Sequence, residues 1–296
     1  MESDAGHVPV LLDETLELLA VTTGGLWVDG TVGLGGHAEA VLRATAPEGQ
    51  LRGFDRDGET LARARQRLAP FGDRACLEQA NFREIPKRLG ETRAQGVLLD
   101  LGISSVQLDD PERGFSFQGD GPLDMRMDRG EGDTAADLVN HLPENELADL
   151  IYGYGEERAS RRIARAIVRS RERAPIRTTA ELAEIVRRAA RPSRRRGFHP
   201  ATRTFQALRI AVNRELEGLE DALEKIAACL APEGRLAVIA FHSLEDRAVK
   251  ITFRALAKRG YRILTKKPLR PSEDEARVNP RARSARLRAI AREEAA

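Results

Sequence analysis

The chain has 296 residues, of which 41% are hydrophobic and 32% charged, and its formal net charge is +2. Its length exceeds that of a typical single compact core, so we expect either two domains or one large domain with an insertion. No apolar run reaches the roughly 18 residues of a membrane-spanning helix. Residues 1–4 are polar and acidic, unlike a secretory signal, and Cys76 and Cys229 lie in unrelated contexts. We therefore expect a cytoplasmic protein without disulfide bonds, membrane association or a metal site.

Strands and helices alternate through the first hundred residues. Amphipathic patterns predict a helix at 11–19 and another from about His37, and Asp57-Gly58 begins a third with Leu61 and Leu68 on its apolar side. Short apolar runs predict strands at 26–28, 51–54, 76–77 and 96–100. Strands separated by helices indicate a parallel sheet with crossover helices.

This alternation is interrupted after residue 108. Residues 109–133 are rich in Gly, Pro and Asp and show no period, whereas residues 145–190 have helical patterns. Thr178 and Glu181 have capping-box spacing at the start of one of these helices. Apolar residues at steps of three and four predict one long helix over residues 205–230.

The next predicted strand, at 236–241, follows a Pro-Glu-Gly turn. We therefore predict an α/β sheet built from residues 1–108 and 203–296. A mostly helical, arginine-rich domain of residues 109–202 interrupts it.

A glycine-rich turn follows the first predicted strand. The sequence VDGTVGLGGH from Val28 reads as a strand end, an acidic residue, a turn and a helix start, and Asp55 ends the second strand 20 residues after Gly35. Two glycines of this turn and Ala38 also satisfy the G-x-G-x-x-A dinucleotide fingerprint, so a nicotinamide cofactor is an alternative. Asp29 favours S-adenosylmethionine, because a carboxylate beside the turn repels a pyrophosphate and suits the charged amino group of a methionyl moiety.

Two further positions complete the predicted pocket. Phe82 follows the third strand, where its ring would cover an adenine, although an ordinary core position is an equal alternative. Asp100 ends the fourth strand, and Gln107 lies seven residues later. Ligands of open α/β sheets bind at the carboxyl ends of the strands, so several acidic strand ends point at one crevice.

These residues fall within a series of long motifs that spans nearly the whole chain. On these motifs the chain resembles the bacterial small-subunit (16S) ribosomal RNA cytosine-N4 methyltransferases, the MraW/RsmH family. The motifs are HVPVLL from His7, GLGGH from Gly33, LDLGISS from Leu99, RGFSF from Arg113, LDMRMD from Leu123, HPATRTFQALRIAVNREL from His199, FHSLEDR from Phe241 and NPRARS from Asn279.

The resemblance implies a class I S-adenosylmethionine-dependent methyltransferase. Its Rossmann-like, mostly parallel seven-stranded sheet would carry an inserted helical domain. The implied substrate is a cytidine in the decoding region of small-subunit ribosomal RNA, within the assembled or assembling 30S subunit, methylated on its exocyclic N4 amine. The residues implied to contact the cofactor are Gly35, Gly36, His37, Asp55, Phe82, Asp100 and Gln107.

Methyl transfer to an amine needs positioning and electrostatics but no covalent enzyme intermediate. Ring-carbon methylation of cytosine normally needs a thiol nucleophile, and both cysteines have the surroundings of core residues. The amine requires a proton acceptor, whose identity stays open. The resemblance assigns Asp100 to the cofactor, and a structural role is at least as good an interpretation of each other candidate. The candidate catalytic residues are Asp100, Asp124, Asp128, His242 and Glu245.

Arginine is concentrated in one part of the chain. From Arg158 to Arg209, sixteen arginines stand against three acidic residues. Arginine binds phosphate through a planar fork, so this excess predicts RNA binding, although a solvated surface is the alternative. A second basic stretch runs from Tyr261 through Arg292. The residues predicted to bind RNA are Arg194, Arg195, Arg196, Arg203, Arg281 and Arg283.

Two other functions remain open at this point. One is a nicotinamide-dependent oxidoreductase built on the same glycine turn. The other is a non-catalytic RNA-binding factor of ribosome assembly that retains a vestigial pocket.

Overall fold

The computed structural model describes residues 9–190 and 199–294. Its helices are α1 (Leu12–Leu19), α2 (Gly36–Ala44), α3 (Gly58–Leu68), α4 (Ile85–Leu89), α5 (Ser105–Asp109), α6 (Ala135–His141), α7 (Glu144–Gly155), α8 (Ser160–Arg171), α9 (Thr179–Ala189), α10 (Thr202–Asn213), α11 (Leu219–Ala228), α12 (Ser243–Leu256) and α13 (Glu273–Val278). Its strands are β1 (Leu26–Asp29), β2 (Gln50–Asp55), β3 (Ala75–Gln79), β4 (Ala94–Asp100), β5 (Leu230–Ala240), β6 (Tyr261–Ile263) and β7 (Arg286–Arg292).

The strands form one seven-stranded sheet in the order β3-β2-β1-β4-β5-β7-β6. The first five strands of the chain pair in parallel, and β7 runs antiparallel between β5 and β6. This is the seven-stranded α/β sheet that the resemblance implies. Because parallel strands point the same way, the carboxyl ends of β1, β2, β4 and β5 lie at one edge of the sheet.

The contacts within the chain divide it into two compact units. The sheet unit comprises Met1–Ser104 and Gly218–Ala296, and the helical unit comprises Ser105–Glu217. The predicted insertion of residues 109–202 falls within the helical unit, which begins four residues earlier and ends fifteen residues later. The difference at the later boundary is α10, which packs against α7.

Apolar residues of the strands and of the flanking helices form the core of the sheet unit. Trp27, Leu51, Leu98 and Ile239 are buried on the strands, as the short apolar runs predict. The carboxylate of Asp57 accepts hydrogen bonds from the backbone N–H groups of the first turn of α3, at 3.0 and 3.2 Å. That cap begins the helix where the sequence predicts it.

Helices α6 to α10 carry the core of the helical unit. The predicted capping box of Thr178 and Glu181 is present at the start of α9. Helices α7 and α10 approach each other closely at Gly155, where an added Cβ would lie 2.6 Å from the carbonyl oxygen of Arg203. Any larger residue there would push the two helices apart, so glycine is required by the packing.

The irregular segment at 109–133 is held by buried polar side chains. The Arg113 guanidinium is buried and donates to the carbonyl oxygens of Arg126 and Met127 at 3.1 and 2.9 Å. The Asn213 amide donates to the Met125 carbonyl at 2.7 Å and accepts from the Met127 N–H at 2.8 Å. Side chains therefore replace the backbone ladder that a helix or strand would supply.

The single long helix predicted over residues 205–230 is wrong. The structure has α10 and α11 there, because Arg214 and Gly218 both adopt left-handed conformations, with φ of 49° and 63°. The second helix also ends at Ala228, and β5 begins at Leu230, before the predicted strand. Both helices bury an apolar stripe, so the spacing of three and four continues across the break and conceals it.

Within the described ranges, no helix combines the length and apolar character that crossing a membrane requires.

Candidate active site

Three carboxylates end neighbouring strands of the sheet unit. Asp29 ends β1, Asp55 ends β2 and Asp100 ends β4. The charges of Asp55 and Asp100 both raise the pKa of Asp29, so the three groups interact through space. The structure therefore brings these acidic strand ends together at the carboxyl edge of the sheet.

Backbone donors on both sides fix the carboxylate of Asp55. Its Oδ2 accepts from the Gly33 N–H at 2.8 Å, and its Oδ1 accepts from the Asp57 N–H at 2.9 Å. Burial raises the pKa of Asp55 to about 6, although these two hydrogen bonds oppose the shift. Each oxygen keeps a further lone pair, so the carboxylate can accept two hydroxyl groups, as a ribose offers.

Asp29 is the most deeply buried of the three carboxylates. It is 3% exposed, and its Oδ1 accepts from the Thr31 N–H at 3.0 Å. Burial raises its pKa to about 7, and the neighbouring carboxylates add to the shift. Taking three negative charges out of water is costly, so this arrangement favours a positively charged ligand.

Asp100 has one unsatisfied oxygen. Its side chain as a whole is 24% exposed, but its Oδ1 is buried and has no hydrogen-bond partner among the described residues. Its Oδ2 lies 3.9 Å from Nδ1 of His37, and its backbone N–H donates to Oγ1 of Thr31 at 2.6 Å. Burial raises its pKa to about 7, and the charge of Glu245 raises it further.

Thr31 was missed by the sequence analysis, although it lies between Asp29 and the first turn glycine. By binding the backbone of Asp100, its hydroxyl ties the end of β4 to the turn after β1.

The predicted glycines form the turn that leads into α2. Gly35 is the residue before the helix and has φ of 81°, a left-handed conformation that favours glycine. An added Cβ at Gly36 would lie 2.4 Å from the Pro9 ring, so the first helical turn is closely packed. Nε2 of the buried His37 lies 3.0 Å from the Val10 carbonyl. A carbonyl only accepts, so this nitrogen carries a proton, as assigned from the hydrogen-bond geometry.

Phe82 lies beside the end of β1 and is only partly buried. An added Cβ at Gly30 would lie 3.1 Å from Cβ of Phe82, which places this side chain next to the turn. The Arg83 guanidinium lies 4.8 Å from the centre of the ring. Phe82 therefore does not have the full burial of a core phenylalanine, and it stands where the sequence predicts an adenine contact.

His242 and Glu245 form a capping box at the start of α12, and both are buried. His242 Nδ1 accepts from the Glu245 N–H at 3.3 Å, while Glu245 Oε2 accepts from the Phe241 N–H at 2.9 Å. His242 Nε2 lies 3.1 Å from Glu245 Oε1. These contacts provide acceptors for backbone N–H groups at the amino end of the helix.

The remaining candidates lie in the helical unit. The Arg126 guanidinium holds both oxygens of Asp124, at 2.8 and 2.9 Å, and the pKa of Asp124 is lowered although burial opposes the shift. The Asp128 carboxylate accepts from the Gly130 N–H at 2.9 Å within its own turn. Gln107 is buried in α5.

The arginines predicted to bind RNA have different surroundings. Residues 194–196 lie outside the described residues. Arg203 donates to the Glu156 carbonyl at 3.1 Å. Arg281 and Arg283 are exposed in the sheet unit.

Both thiols lie at the amino edge of the sheet. Cys229 is buried immediately before β5, as expected, but the core position expected for Cys76 is wrong, because this residue is exposed at the second position of β3. Burial raises the pKa of the Cys229 thiol, which disfavours a thiolate. The acidic strand ends therefore lie at the opposite edge of the sheet from either cysteine.

The residues at the carboxyl edge fit S-adenosylmethionine. The buried carboxylates suit its sulfonium and ammonium charges, Oδ1 of Asp100 is a buried acceptor without a partner among the described residues, and Asp55 suits the ribose. A dinucleotide would place a pyrophosphate beside the same negative charges. Together with the order and direction of the strands, this site defines a class I S-adenosylmethionine-dependent methyltransferase.

Comparison with known proteins identifies the family. The sequence profile of the MraW methylase family matches residues 4–293, so the chain belongs to that family. Ribosomal RNA small subunit methyltransferase H of Syntrophobacter fumaroxidans is 53% identical, over 96% of this chain and 95% of that protein. The protein of the same name from Gloeobacter violaceus is 55% identical, over 95% of this chain and 87% of that protein.

A crystal structure described as a putative rRNA-methylase from Clostridium thermocellum covers 97% of this chain and 99% of its own. Its TM-score is 0.49 and its identity 12%.

Proposed function

We propose that the chain transfers the methyl group of S-adenosylmethionine to the exocyclic N4 amine of a cytidine in the decoding region of small-subunit ribosomal RNA. Its close relatives are named as methyltransferases of that RNA. The choice of the amine as target rests on the site itself. The substrate is the RNA within an assembled or assembling 30S subunit, and the enzyme works in the cytoplasm.

One observation carries the choice of the amine. The reaction site is at the carboxyl edge of the sheet, where Asp100 offers an unpaired carboxylate oxygen, whereas Cys76 and Cys229 lie at the amino edge. Methylation of a cytosine ring carbon normally needs a thiol nucleophile beside the base. Methylation of the amine requires only an acceptor for its proton, and Asp100 meets that need.

Among the candidate acceptors, Asp100 has the most suitable chemistry. Arg126 occupies Asp124 with two hydrogen bonds, and this contact lowers the pKa of that carboxyl. His242 and Glu245 use ring nitrogen and carboxylate oxygens to cap α12. Asp100 retains a free oxygen and has a pKa of about 7, close to the operating pH at which a general base is most effective.

When bound, S-adenosylmethionine supplies an electrophilic methyl group on a sulfonium ion. Asp55 would bind the ribose of the cofactor, and the Gly33–Gly36 turn would contact its methionyl chain. Phe82 would lie against its adenine. Asp100 would accept a hydrogen bond from the N4 amine, which localises the nitrogen lone pair, and would then receive the proton that this nitrogen loses. Thr31 and His37 position Asp100 for this role.

The product of the reaction tests the proposal directly. Small-subunit RNA is incubated with the enzyme and isotope-labelled S-adenosylmethionine, digested to nucleosides and analysed by chromatography with mass spectrometry. We expect labelled N4-methylcytidine, which has the same mass as 5-methylcytidine but separates from it. Label in 5-methylcytidine would overturn the choice of the amine, and no label in any nucleoside would indicate a non-catalytic RNA-binding factor.

A further inference from the structure

Helix α8 has two sharply different faces. Its buried side chains include Ile163, Ala164 and Ile167, which pack within the helical unit, where α8 contacts α6, α7 and α9. Its exposed side chains are mainly arginines. At about 100° of rotation per residue, these arginines cover an arc of roughly 100° that is centred opposite the buried face. We call this set the α8 arginine face; its members are Arg161, Arg162, Arg165 and Arg169.

Carboxylates do not neutralise most of this face. Within residues 9–190 and 199–294, Arg161, Arg162 and Arg169 have neither a salt bridge nor a side-chain hydrogen bond. Arg165 contacts Glu144 at 3.4 Å, in a pair that is exposed on both sides. Exposed Arg158 and Arg173 lie just beyond the two ends of the helix, where the acidic neighbours in sequence are Glu156, Glu157 and Glu172.

On the neighbouring helix α9, by contrast, the exposed arginines are paired with an acidic residue. Arg187 and Arg188 both contact Glu184, with nitrogen–oxygen distances of 2.6 Å. Hydrogen bonds from these two arginines lower the pKa of Glu184 to about 2. Two exposed helices of one unit thus carry arginine, but only α9 supplies the matching acid.

An unneutralised face of this kind works against the stability of the helix. Arg161, Arg165 and Arg169 follow one another at intervals of four residues, and like charges at this spacing repel each other. A helix that needed only a solvated surface would gain from Glu at one of these positions, as α9 has. The α8 arginine face is therefore better explained by a ligand that brings negative charge.

We infer that the α8 arginine face binds consecutive phosphate groups of the RNA substrate. Arginines four positions apart are about 6 Å apart along a helix axis, so the face presents a row of cations rather than one pocket. The planar guanidinium binds a phosphate through two parallel hydrogen bonds. None of the four arginines of this face is among the six residues named above as predicted to bind RNA, and the inference rests on the proposal that the substrate is RNA.

A pair of charge-matched variants tests the inference. Arg162→Gln with Arg169→Gln removes two unpaired arginines from α8, and Arg187→Gln with Arg188→Gln removes two paired arginines from α9. Both leave the sheet unit untouched and keep a good helix former at each position. Binding of a transcript of the decoding region is measured for both variants and for the unaltered protein over a range of salt concentrations, with cofactor affinity as a control.

We expect the α8 variant to reduce the slope of log affinity against log salt by about 1.4–1.8, the value for two lost phosphate contacts. The α9 variant should change the slope by less than half as much, because both of its arginines are already held in contacts with Glu184. The melting temperature of the α8 variant should stay the same or rise, since repulsion is relieved. A fall in melting temperature with an unchanged slope would assign the face a structural role instead.

Equal slopes for the two variants would overturn the inference, and an acidic protein partner would then be the better explanation of the face. This outcome is separate from failure of the proposed function. Binding is read without catalysis, whereas the proposed function fails if the unaltered protein places no methyl group on the amine.

Discussion

The carboxyl edge of the sheet unit and the outer face of α8 concentrate opposite charges in opposite environments. At the sheet edge, Asp29, Asp55 and Asp100 are held by burial at pKa values of about 7, 6 and 7. On α8 the arginines are exposed and face water. The overall charge of +2 conceals both concentrations.

This contrast between buried and exposed charges indicates how each region can recognise its ligand. Salt screens buried carboxylates much less than exposed groups, so they discriminate a small cation by fixed geometry and low dielectric. Exposed arginines are screened, so they hold a long polyanion weakly at many points and release counterions. Changes at the sheet edge should therefore affect chemistry and cofactor binding, and changes on α8 should affect the salt dependence of RNA binding.

The largest expected effect is at Asp100. Asp100→Asn keeps the shape of the side chain but removes its ability to receive a proton. We expect the single-turnover rate at saturating cofactor to fall by about 10²–10⁴-fold, the range for loss of a general base. The matched variant Asp128→Asn, whose carboxylate accepts the Gly130 N–H within its own turn, should stay near the rate of the unaltered protein. A rate within threefold for Asp100→Asn would assign proton acceptance to another group.

The next effect is at Asp55, and it concerns cofactor affinity. Asp55→Ala removes the carboxylate oxygens that would accept hydrogen bonds from the ribose hydroxyls. Binding of S-adenosylhomocysteine should therefore weaken by about 2–3 kcal/mol, the scale for hydrogen bonds to a charged group. That corresponds to roughly 30–150-fold in the dissociation constant, measured by calorimetry. Asp73→Ala, at an exposed position of the same unit, makes the same change in charge and should leave affinity unaltered. Equal affinities for both variants would remove Asp55 from the site.

The raised pKa of Asp29 predicts a particular dependence of stability on pH. The folded protein holds a proton on this carboxyl up to about pH 7, whereas the unfolded chain releases it near 3.8. The contribution of Asp29 to the free energy of unfolding therefore declines as pH rises from about 4 to about 7. Asp29→Asn removes this titration and keeps an oxygen for the Thr31 N–H.

Thermal unfolding of the cofactor-free protein at pH 5 and pH 8 checks this sign. The melting temperature of Asp29→Asn minus that of the unaltered protein should be several degrees higher at pH 8 than at pH 5, since a ΔΔG of 1 kcal/mol shifts it by roughly 2–4 °C. A difference independent of pH would mean that Asp29 stays ionised in the folded protein.

The smallest expected effect is at the amino edge of the sheet. The double variant Cys76→Ala, Cys229→Ala should retain a single-turnover rate within about threefold, because neither thiol takes part in the reaction. Its stability should fall, since trimming buried Cys229 leaves a small cavity. The rate is measured at a temperature where the variant is folded. A folded, cofactor-binding variant without activity would contradict transfer to the amine, since loss of a covalent nucleophile costs several orders of magnitude.

Much of the fold could be predicted because its signals are local. Short apolar runs predicted β1 to β4, Asp57 predicted the start of α3, and the capping box at Thr178 predicted the start of α9. The break between α10 and α11 could not be predicted, because Arg214 adopts a left-handed conformation that no local signal announces. The assignment of α10 to the helical unit likewise depends on its packing against α7.

The sequence by itself determined the order of strands and helices along the chain, the glycine turn, the acidic strand ends and the excess of arginine. These features depend on residues a few positions apart, where backbone preferences and apolar spacing are sufficient. Only the tertiary structure decided which charged groups have partners. It left Oδ1 of Asp100 without a partner among the described residues and gave both oxygens of Asp124 to Arg126. It paired both α9 arginines with Glu184, but of the α8 arginine face it paired only Arg165 with an acid among those residues. Pairing and desolvation depend on which side chains and strand ends the fold brings together, and spacing along the chain does not specify that.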